Sequence, residues 1–472
     1  MLFRMGFHPS ICVGNRHEGE INMISLKHLK GIHLDHHKHT AGFAIVPMPV
    51  PERVCIPMVQ HIGAPNMPVV AVGDRVKVGQ LIGDSEAPVC APVHASVSGE
   101  VVAIETFMTQ MGRNDTNIVI ETDGKQEIAE TVVPPAVTNK EEFLKAVRAS
   151  GLVGLGGAAF PTHIKYNPRN PDDVDTLIVN GAECEPYITV DHMTMLAHAQ
   201  EIVDGTLNTL KYLSIKKGII AIEGNKPDAI ALFKDLTKNL PNIEVFELRL
   251  VYPQGAERVI IFETTGRHLI AGKLPADIGV IVSNVNTILK LQQFLDTGMP
   301  LITKSLTVDG NLIVHPQNVE VPIGTKICDV IEFCGGTKRP AKKILFGGPM
   351  MGRAMPTDDL AILKGNNAIL VFDEAFSTMN PETACINCGR CVRGCPMNLM
   401  PTTLAKAWDR RDLETLKEYD ALTCMECGSC SYSCPARIQL SYKIKLAKEL
   451  VMQDARMQVE KAKALAEGGK NA

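Results

Sequence analysis

Two cysteine motifs in the C-terminal part of the chain have the residue type and the spacing of a metal-cluster site. Eight of the fourteen cysteines lie between positions 385 and 434. They form two groups with one pattern, C-x2-C-x2-C-x3-C-P: Cys385, Cys388, Cys391 and Cys395, then Cys424, Cys427, Cys430 and Cys434. This pattern is typical of cysteines that bind iron–sulfur clusters. Structural zinc sites usually pair two C-x2-C units across a long gap, which makes zinc the weaker alternative.

The fourth cysteine of each such motif ligates the other cluster in two-cluster ferredoxins. The first predicted [4Fe-4S] cluster is held by Cys385, Cys388, Cys391 and Cys434. The second is held by Cys424, Cys427, Cys430 and Cys395. Gly389 and Gly428 lie inside the two loops, where the backbone must approach a cluster closely. The motifs form an internal duplication. Arg390 and Arg393, beside the first motif, either raise the potential of its cluster or are simply solvated.

Composition limits the classes of protein to which the chain can belong. Its 472 residues predict about three domains, at roughly 150 residues each. A hydrophobic share of 45% argues against disorder, and a net charge of −4 gives no basic surface for nucleic acid. The first 20 residues lack an apolar core of signal-peptide length, and prolines interrupt the longest uncharged run. We therefore expect no export, no transmembrane span, and redox or metal roles for the clustered cysteines.

Upstream of the cysteines, the pattern predicts several small units. Residues 1–45 carry five histidines between His28 and His39. Because no carboxylate or cysteine spacing completes a metal site there, a solvated or docking segment is favoured. Residues 46–130 contain short β-type runs with Gly, Pro and Asp turns, and they resemble a lipoyl- or biotinyl-like barrel-sandwich domain. The turn that carries a modified lysine in such carriers has none here, which favours a structural or docking role.

The central residues predict two further folds and lead into the cysteine domain. Residues 131–300 alternate β-runs with helical stretches, an α/β pattern, with a first helix at Lys140–Ala149 capped by Asn139. Residues 301–360 predict a hairpin, a turn and a short helix, as in a small β-grasp (SLBB-like) domain. Residues 375–450 form the helical two-cluster, ferredoxin-like domain, and 451–472 are expected to be a flexible tail. The predicted fold class is thus multidomain α/β and α+β.

A glycine-rich loop and an acidic segment lie in the α/β region. The loop GLVGLGGAAFPTHIKY, residues 151–166, lets backbone N–H groups approach a phosphate, to which Lys165 adds charge. The β-run TLIVN then ends at Asn180, followed by Glu183 and Glu185. Strand ends are the usual ligand edge of an α/β sheet. Alone, each feature is also compatible with an ordinary turn or with surface carboxylates.

Together, these segments resemble the FMN- and NADH-binding flavoprotein subunit of respiratory complex I. The glycine loop is similar to that family's GLRGRGGAGFPTGLKW, and NGAECEP is similar to its NADExEP. YPQGAER resembles YxxGEET, and VSNVNT resembles VNNVET, in the same order. With the barrel-like, β-grasp-like and ferredoxin-like segments added, the whole chain resembles the family of C subunits of the Rnf (Rsx) ion-translocating ferredoxin:NAD⁺ oxidoreductases.

The resemblance implies FMN as a cofactor and NAD(H) as a substrate. The residues implied to hold the FMN phosphate and ribityl chain are Gly154, Gly156 and Lys165. Those implied to line the flavin are Asn180, Glu183, Tyr252, Gly255, Glu257, Asn284 and Thr287. Phe160 and Glu185 are implied to face the nicotinamide nucleotide. The chain departs from the family at four positions, where two arginines and two acidic residues become Val153, Leu155, Ala182 and Ala256.

The resemblance implies a peripheral subunit on the cytoplasmic face of a membrane complex, with the other Rnf subunits as partners. Its activity would be hydride exchange between NAD(H) and FMN, followed by single-electron transfer through the two clusters. No side chain is assigned a catalytic role beyond positioning the cofactors. Two alternatives are the flavin and iron–sulfur cobalamin reductase of bacterial microcompartments and a flavin-free electron-relay module. The histidine-rich start and the segment PMVQHIGAPNMPVV fit the Rnf family better.

Overall fold

The predicted order of units is the order found in a computed structural model, which describes residues 28–109, 112, 114–377 and 381–468. Most of the predicted N-terminal segment, residues 1–27, lies outside the described part. Residues 28–44 pack on the central α/β unit, where Ile32 forms a β-bridge with Tyr252. None of the described helices combines the length and the apolar composition needed to cross a bilayer.

The first unit is a barrel-sandwich of short antiparallel strands. After β1 (Ile45–Pro47), its strands are β2 (Arg53–Pro57), β3 (Met67–Pro68), β4 (Arg75–Val76), β5 (Leu81–Asp84), β6 (Val93–His94), β7 (Gly99–Met108) and β8 (Asn114–Thr122). They form two sheets, with strand orders β2-β8-β7-β4 and β3-β5-β6. Alternate residues such as Val54, Ile56, Ile118 and Ile120 point into a common core, as the period-2 pattern requires.

The second unit is an α/β domain. Its elements are α1 (Lys140–Ala149), α2 (Thr162–Lys165), β9 (Thr176–Gly181), α3 (Val190–Ala197), α4 (Ala199–Leu213), β10 (Lys217–Glu223), α5 (Pro227–Thr237), β11 (Ile243–Leu248), α6 (Glu257–Thr265), β12 (Val280–Asn284) and α7 (Val285–Thr297). The first helix has the predicted bounds, and the Asn139 side chain caps it by accepting from the Glu142 amide.

All strand pairs in this sheet are parallel, and their order is β11-β10-β9-β12. The chain proceeds from β9 outward through β10 and β11, then returns to place β12 on the other side of β9. This reversal opens a crevice at the carboxyl ends of β9 and β12, which is where ligands bind in open α/β sheets. Asn180 and Asn284 are register partners there.

The third unit is a β-grasp-like sheet with one helix. Its elements are β13 (Thr303–Asp309), β14 (Gln317–Pro322), α8 (Ile327–Phe333), β15 (Lys343–Phe346), β16 (Arg353–Ala354) and β17 (Ala368–Phe372). The predicted hairpin and helix are confirmed. The sheet order, β1-β14-β13-β17-β15-β16, also includes two strands from outside the predicted range 301–360. One is β1, from the region assigned to the barrel, and the other is the fully buried β17.

The fourth unit contains both cysteine motifs. Its helices are α9 (Glu374–Ser377), α10 (Arg390–Arg393), α11 (Pro401–Asp409), α12 (Leu413–Glu418), α13 (Ser429–Tyr432) and α14 (Leu440–Gly468). Helices α10 and α13 occupy equivalent places in the two motifs. Left-handed backbone recurs at equivalent positions, with φ of 70° at Gly389 and 78° at Gly428. The duplication is thus present in the backbone as well as in the sequence.

Within the expected flexible tail, residues 451–468 continue α14, which is helical to Gly468. Their composition favours a helix, because Ala, Lys, Glu, Gln and Met all have high helix propensity and the segment contains no proline.

Candidate functional site

The glycine loop (residues 151–161) lies across the carboxyl ends of β9 and β12. The Gly154 amide donates to the Phe160 carbonyl at 2.8 Å, which closes the loop on itself. The Leu155 amide donates to Oγ1 of Thr287 at 3.0 Å, and this anchors the loop to α7. A Cβ on Gly156 would stand 3.4 Å from the Asn284 side chain. The loop therefore presents its exposed residues at the crevice where the strand order reverses.

Asn284 links this loop to a pair of buried carboxyl groups. Its Oδ1 caps α7 by accepting from the Asn286 amide, and its Nδ2 donates to Asp191 at 2.7 Å. The Asp191 amide in turn donates to Oε1 of Glu183 at 2.7 Å. Thus residues from two separate sequence motifs meet within one hydrogen-bonded chain, against which the glycine loop packs at Gly156.

Glu183 lies in a buried network of charges. Burial raises the pKa of this carboxyl, Lys38 opposes that rise and Asp191 adds to it. The Glu183 amide donates to Glu223, which also pairs with Lys226 at 2.8 Å. Burial alone would lower the pKa of Lys226, but Glu223 and Glu183 hold it above its ordinary value. Oε2 of Glu183 has no hydrogen-bond partner among the described residues.

Asn180 and Gly255 close the far side of the crevice. Asn180 donates from Nδ2 to the Gly255 carbonyl at 2.9 Å and accepts from the Ala182 amide at 3.0 Å. Lys165 donates to the Val282 carbonyl at 2.9 Å and lies 3.8 Å from Glu257. The ammonium group of this lysine is therefore already hydrogen-bonded within the α/β domain.

Tyr252 and Glu185 join the α/β domain to its two neighbours. The Tyr252 hydroxyl is buried and donates to the Cys427 carbonyl at 2.8 Å. Glu185 accepts from the amides of Met350 at 3.0 Å and Met351 at 2.8 Å, in the glycine-rich turn of the β-grasp unit. Burial raises the pKa of Glu185 to about 6, while those two amides act in the opposite direction. Tyr252, one of the predicted flavin residues, thus contacts the second cysteine motif directly.

Lys38, in the N-terminal segment, is a site residue that sequence reasoning missed. Its buried Nζ donates to the carbonyls of Glu183, at 2.8 Å, and Glu185, at 2.9 Å, and also to that of Ile188. The ring of His37 stacks on Tyr187 with centroids 5.0 Å apart. The described part of the histidine-rich segment therefore docks as a strap on the acidic loop (residues 181–191), the docking alternative of the prediction, while its five histidines stay exposed.

Lys304 is a second site residue that sequence reasoning missed. This lysine is the second residue of β13, yet it is buried, and its Nζ donates to the Leu155 carbonyl of the glycine loop at 3.2 Å. Burial lowers the pKa of Lys304 to about 8, and Asp191 opposes that shift. A lysine within a run of β-type residues was the signal available in the sequence, but only the packing of two units reveals its partner.

The two cysteine motifs interlock. A small cavity is lined by Cys395 of the first motif and by Cys424, Cys427 and Cys430 of the second. Most of its other lining is apolar, including Leu399 and Ile444. Around Cys391, burial raises the thiol pKa, and the Cys434 and Cys388 thiols raise it further.

The structure thus brings the fourth cysteine of each motif beside the other motif. Within the described residues, no three His, Cys, Asp or Glu side chains converge in the manner of a metal-ion site.

The crevice also fits a flavin nucleotide. Gly157 has a φ of 117° and nothing within 4 Å of its Cβ position, so the loop leaves room for a ligand against its backbone. Both amide atoms of Gln254 and Oε2 of Glu183 are buried and have no hydrogen-bond partner in the described part of the chain. They lie in two segments that border the crevice. A flavin ring carries the donors and acceptors that such atoms require. The Phe160 carbonyl accepts from the Gly154 amide, which ties this residue to the glycine loop.

Four family models match consecutive parts of the chain. The RnfC barrel sandwich hybrid domain matches residues 26–125, and the Nuo51 FMN-binding domain matches residues 147–293. The SLBB domain matches residues 305–354, and the 4Fe-4S dicluster domain matches residues 384–438. These matches confirm the predicted fold class and the predicted cofactors, FMN and two [4Fe-4S] clusters.

Similar proteins are found in several bacteria. The C subunit of the proton-translocating ferredoxin:NAD⁺ oxidoreductase complex of Clostridium ljungdahlii is 43% identical, over 83% of this chain and 87% of that protein. Its counterpart in the Na⁺-translocating complex of Acetobacterium woodii is 40% identical, over 90% of this chain and 97% of that protein. The C subunit of the ion-translocating oxidoreductase complex of Rhodobacter capsulatus is 38% identical, over 81% and 75%.

A solved structure, the NAD⁺-reducing [NiFe]-hydrogenase in the air-oxidized state, aligns with a TM-score of 0.47 and 16% identity, over 67% of this chain and 63% of that one. The sequence relatives extend across the barrel, the crevice and the cysteine motifs together. The chain therefore belongs to the family of C subunits of the ion-translocating ferredoxin:NAD⁺ oxidoreductase complexes.

Proposed function

We propose that this protein exchanges a hydride between NAD(H) and FMN, and single electrons between FMN and two [4Fe-4S] clusters. The observation that carries the proposal is the hydrogen bond from Tyr252 in the crevice to the Cys427 carbonyl, 2.8 Å long. It joins the proposed flavin site to the proposed ligand shell of a cluster. FMN, when bound, supplies the conversion between two-electron and one-electron transfer that neither nicotinamide nor a cluster can perform alone.

The proposed FMN site uses the residues that meet at the crevice. The backbone amide of Gly156 provides a phosphate-binding group, and Lys165 lies nearby to contribute charge. Gly154 shapes the loop around the phosphate, because its own amide donates to the Phe160 carbonyl. The residues proposed to line the flavin are Asn180, Glu183, Tyr252, Gly255, Glu257, Asn284 and Thr287. Glu183 and Asn284 share one hydrogen-bond network, and Asn180 is hydrogen-bonded to Gly255. Because these residues are positioned before a ligand arrives, the entropic cost of binding is lower.

Phe160 and Glu185 are proposed for the nucleotide side of the site. Glu185 is held by two backbone amides of the β-grasp unit, so its carboxyl orientation depends on the docking of that unit. The changes at Val153, Leu155, Ala182 and Ala256 remove charge relative to the family motifs. We expect these changes to affect contacts with NAD(H) more than contacts with FMN.

The crossed ligand sets are proposed for the clusters. The first cluster would be held by Cys385, Cys388, Cys391 and Cys434. The second would be held by Cys395, Cys424, Cys427 and Cys430. The cavity shared by the second set, and its contact with Tyr252, support an order in which the second cluster lies next to the flavin. The first cluster then lies at the outer end of the electron path.

In the complex, we propose a peripheral position on the cytoplasmic face of the membrane, with the other subunits of an ion-translocating ferredoxin:NAD⁺ oxidoreductase as partners. This part of the proposal is supported by the names of the relatives and by the lack of a membrane-spanning helix among the described residues.

A count of flavin and iron on the purified protein, combined with NADH titration, tests the proposal. We expect about one FMN per chain and iron for two cubanes, with NADH bleaching the flavin absorbance before the cluster absorbance changes. Clusters without bound flavin, or flavin that NADH does not reduce, would contradict the proposal. Retention of clusters alone would instead favour an electron-relay module.

A further inference from the structure

A buried glutamine beside the crevice has no partner for either end of its side-chain amide. Gln254 lies between Tyr252 and Gly255, and it is 0% exposed. Its Oε1 and its Nε2 both lack a hydrogen-bond partner among the described residues. Such groups are rare in folded proteins, because burial removes their bonds to water and gives nothing in return. The side chain is therefore suited to a ligand that supplies both a donor and an acceptor.

The two other buried glutamines of the described residues have partners at both ends of the amide. Gln292 accepts from Asn208 at 2.8 Å and donates to Asp296 at 2.9 Å. Gln60 donates to the Pro57 carbonyl at 3.1 Å and accepts from a backbone N–H of the β-grasp unit at 3.2 Å. The lack of partners is thus a property of the glutamine at the crevice and not of buried glutamines in this chain.

The asparagines of the crevice differ from this glutamine in the same way. Asn180 and Asn284 each donate and accept hydrogen bonds within the protein. These bonds fix the shape of the crevice, whereas the amide of Gln254 has both of its functions free for a ligand. The family motif YxxGEET leaves this position open, so the resemblance assigns it no role.

The ring of FMN has one edge that matches a side-chain amide. On its imide edge, an N3–H donor lies between two carbonyl acceptors in the plane of the ring. An amide carries one acceptor and two donors in a plane, so it can form two hydrogen bonds with that edge at once. The phosphate supplies acceptors only, the ribityl hydroxyls lie on a flexible chain, and the dimethylbenzene edge has no polar atom.

We propose that Gln254 binds the imide edge of the flavin, with Oε1 accepting from N3–H and Nε2 donating to an adjoining carbonyl. The inference rests on the proposed function, because it requires FMN in the crevice. Gln254 is then a specificity-determining residue for the flavin ring. A flavin without the N3–H donor leaves Oε1 unpaired in a buried site, and sites built around a buried hydrogen bond discriminate strongly against such analogues.

Flavin analogues test this assignment through binding affinity. The full chain, with its clusters retained and its flavin removed, is titrated with FMN and with 3-methyl-FMN, and quenching of flavin fluorescence gives the dissociation constants. We expect the wild type to bind FMN about tenfold more tightly than 3-methyl-FMN, or more. The control ligand is 8-chloro-FMN, which is altered at the opposite edge and should bind within about threefold of FMN.

Variants of Gln254 should lose this preference. Gln254→Ala removes the amide and leaves room for the methyl group, so its affinities for FMN and 3-methyl-FMN should agree within about threefold. Gln254→Met keeps most of the volume and should bind FMN about tenfold more weakly than the wild type. Gln292→Met, a buried glutamine further along α7, is the matched control and should keep the wild-type preference. Iron content and melting temperature report on folding.

Several results would overturn the role of Gln254. One is equal affinity of the wild type for FMN and 3-methyl-FMN, a comparison that needs no variant to fold. Another is a full preference for FMN in Gln254→Ala. If that variant kept the preference but changed the EPR spectrum of a cluster, or bound NADH more weakly, the partner of the amide would be the cluster or the nicotinamide. A wild type that binds no FMN would instead contradict the proposed function itself.

Discussion

At the scale of single residues, the flavin crevice depends on buried charges that compensate one another. Glu183, Glu223, Lys226 and Lys38 are all largely removed from solvent and contact or influence one another electrostatically. Removing one partner of such a network leaves another buried group uncompensated, which costs more than the interaction itself contributes. Substitutions in this network should therefore lower the affinity for FMN more than they lower the occupancy of the distant clusters.

Lys38→Met removes the cation of the strap while preserving much of its length. Three carbonyls of the acidic loop lose their donor, each at a cost of about 1–3 kcal/mol. We expect the FMN content at a fixed free concentration to correspond to an affinity at least tenfold lower, with the cluster iron retained. Fluorescence of released flavin and an iron assay measure the two quantities. Lys125→Met, on an exposed turn, is the control, and an equal loss of flavin in both variants would contradict this role.

Tyr252→Phe tests the contact between the crevice and the second cysteine motif. The ring remains to fill its buried position, but the Cys427 carbonyl loses a hydrogen bond of 2.8 Å. We expect the rate of flavin reduction by NADH to remain within about twofold of wild type, and the subsequent cluster reduction to slow, because the hydrogen bond stabilises the docking of the two units. Stopped-flow spectra at flavin and cluster wavelengths distinguish these steps. A change confined to the flavin step would contradict the assignment.

At the scale of elements, the duplicated motif explains how two clusters are held by so short a segment. Each copy supplies three thiols from a loop and a fourth from the start of the following segment, after a four-residue helix. Because α10 and α13 lie side by side, each fourth cysteine faces the other loop. The left-handed positions at Gly389 and Gly428 turn each loop without the steric cost that a side chain would add.

The crossed ligand sets make a specific prediction about paired variants. Cys395→Ala and Cys424→Ala should remove the same cluster, and Cys434→Ala and Cys385→Ala the other. Each variant should retain about half of the iron, because one ligand set stays complete. EPR spectra of the reduced variants give the comparison. If Cys395→Ala instead matched Cys385→Ala in the signal that it loses, the sets would be uncrossed.

At the scale of the whole molecule, three units meet at one buried lysine. Lys364, beyond the β-grasp helix, donates to the carbonyls of Pro92 in the barrel, at 2.6 Å, and Gly151 in the α/β domain, at 2.7 Å. Burial lowers the pKa of this lysine to about 7. His94 is also buried there, and burial together with Lys364 lowers the pKa of its ring to about 3. The junction therefore favours the neutral form of His94.

Acid should weaken this junction. The pKa of His94 in the folded protein lies below the ordinary value of 6.5, so the neutral ring favours the folded state. This contribution to the free energy of unfolding is fully present above pH 6.5 and is lost as the pH falls toward about 3. Between pH 7 and pH 5, the loss is about 2 kcal/mol for this residue. His94→Asn cannot titrate, and we expect a smaller drop in melting temperature over that range, measured by scanning fluorimetry. An unchanged drop would show that His94 does not couple to unfolding.

Much of the organisation was predictable from sequence because it depends on local signals. The cysteine spacing, the cap at Asn139 and the hairpin of the β-grasp unit are all encoded within a few tens of residues, and each is found. The extent of the β-grasp sheet could not be predicted in this way, because β1 and β17 join it from outside residues 301–360. Lys38, Lys304 and Lys364 were equally hidden, since a lysine in sequence predicts exposure unless its partners are known.

By itself, the sequence determined which chemistry the chain can hold, because ligand type and ligand spacing are covalent properties. Only the tertiary structure decided how these parts are connected. Tyr252 and Cys427 are 175 residues apart, yet a single hydrogen bond joins them. The same packing gives the two cysteine motifs different neighbours, since Tyr252 contacts the second and Ile32 of the strap packs on Gly394 of the first. Two copies of one pattern acquire different surroundings because burial is decided by which units pack together, and no local pattern contains that information.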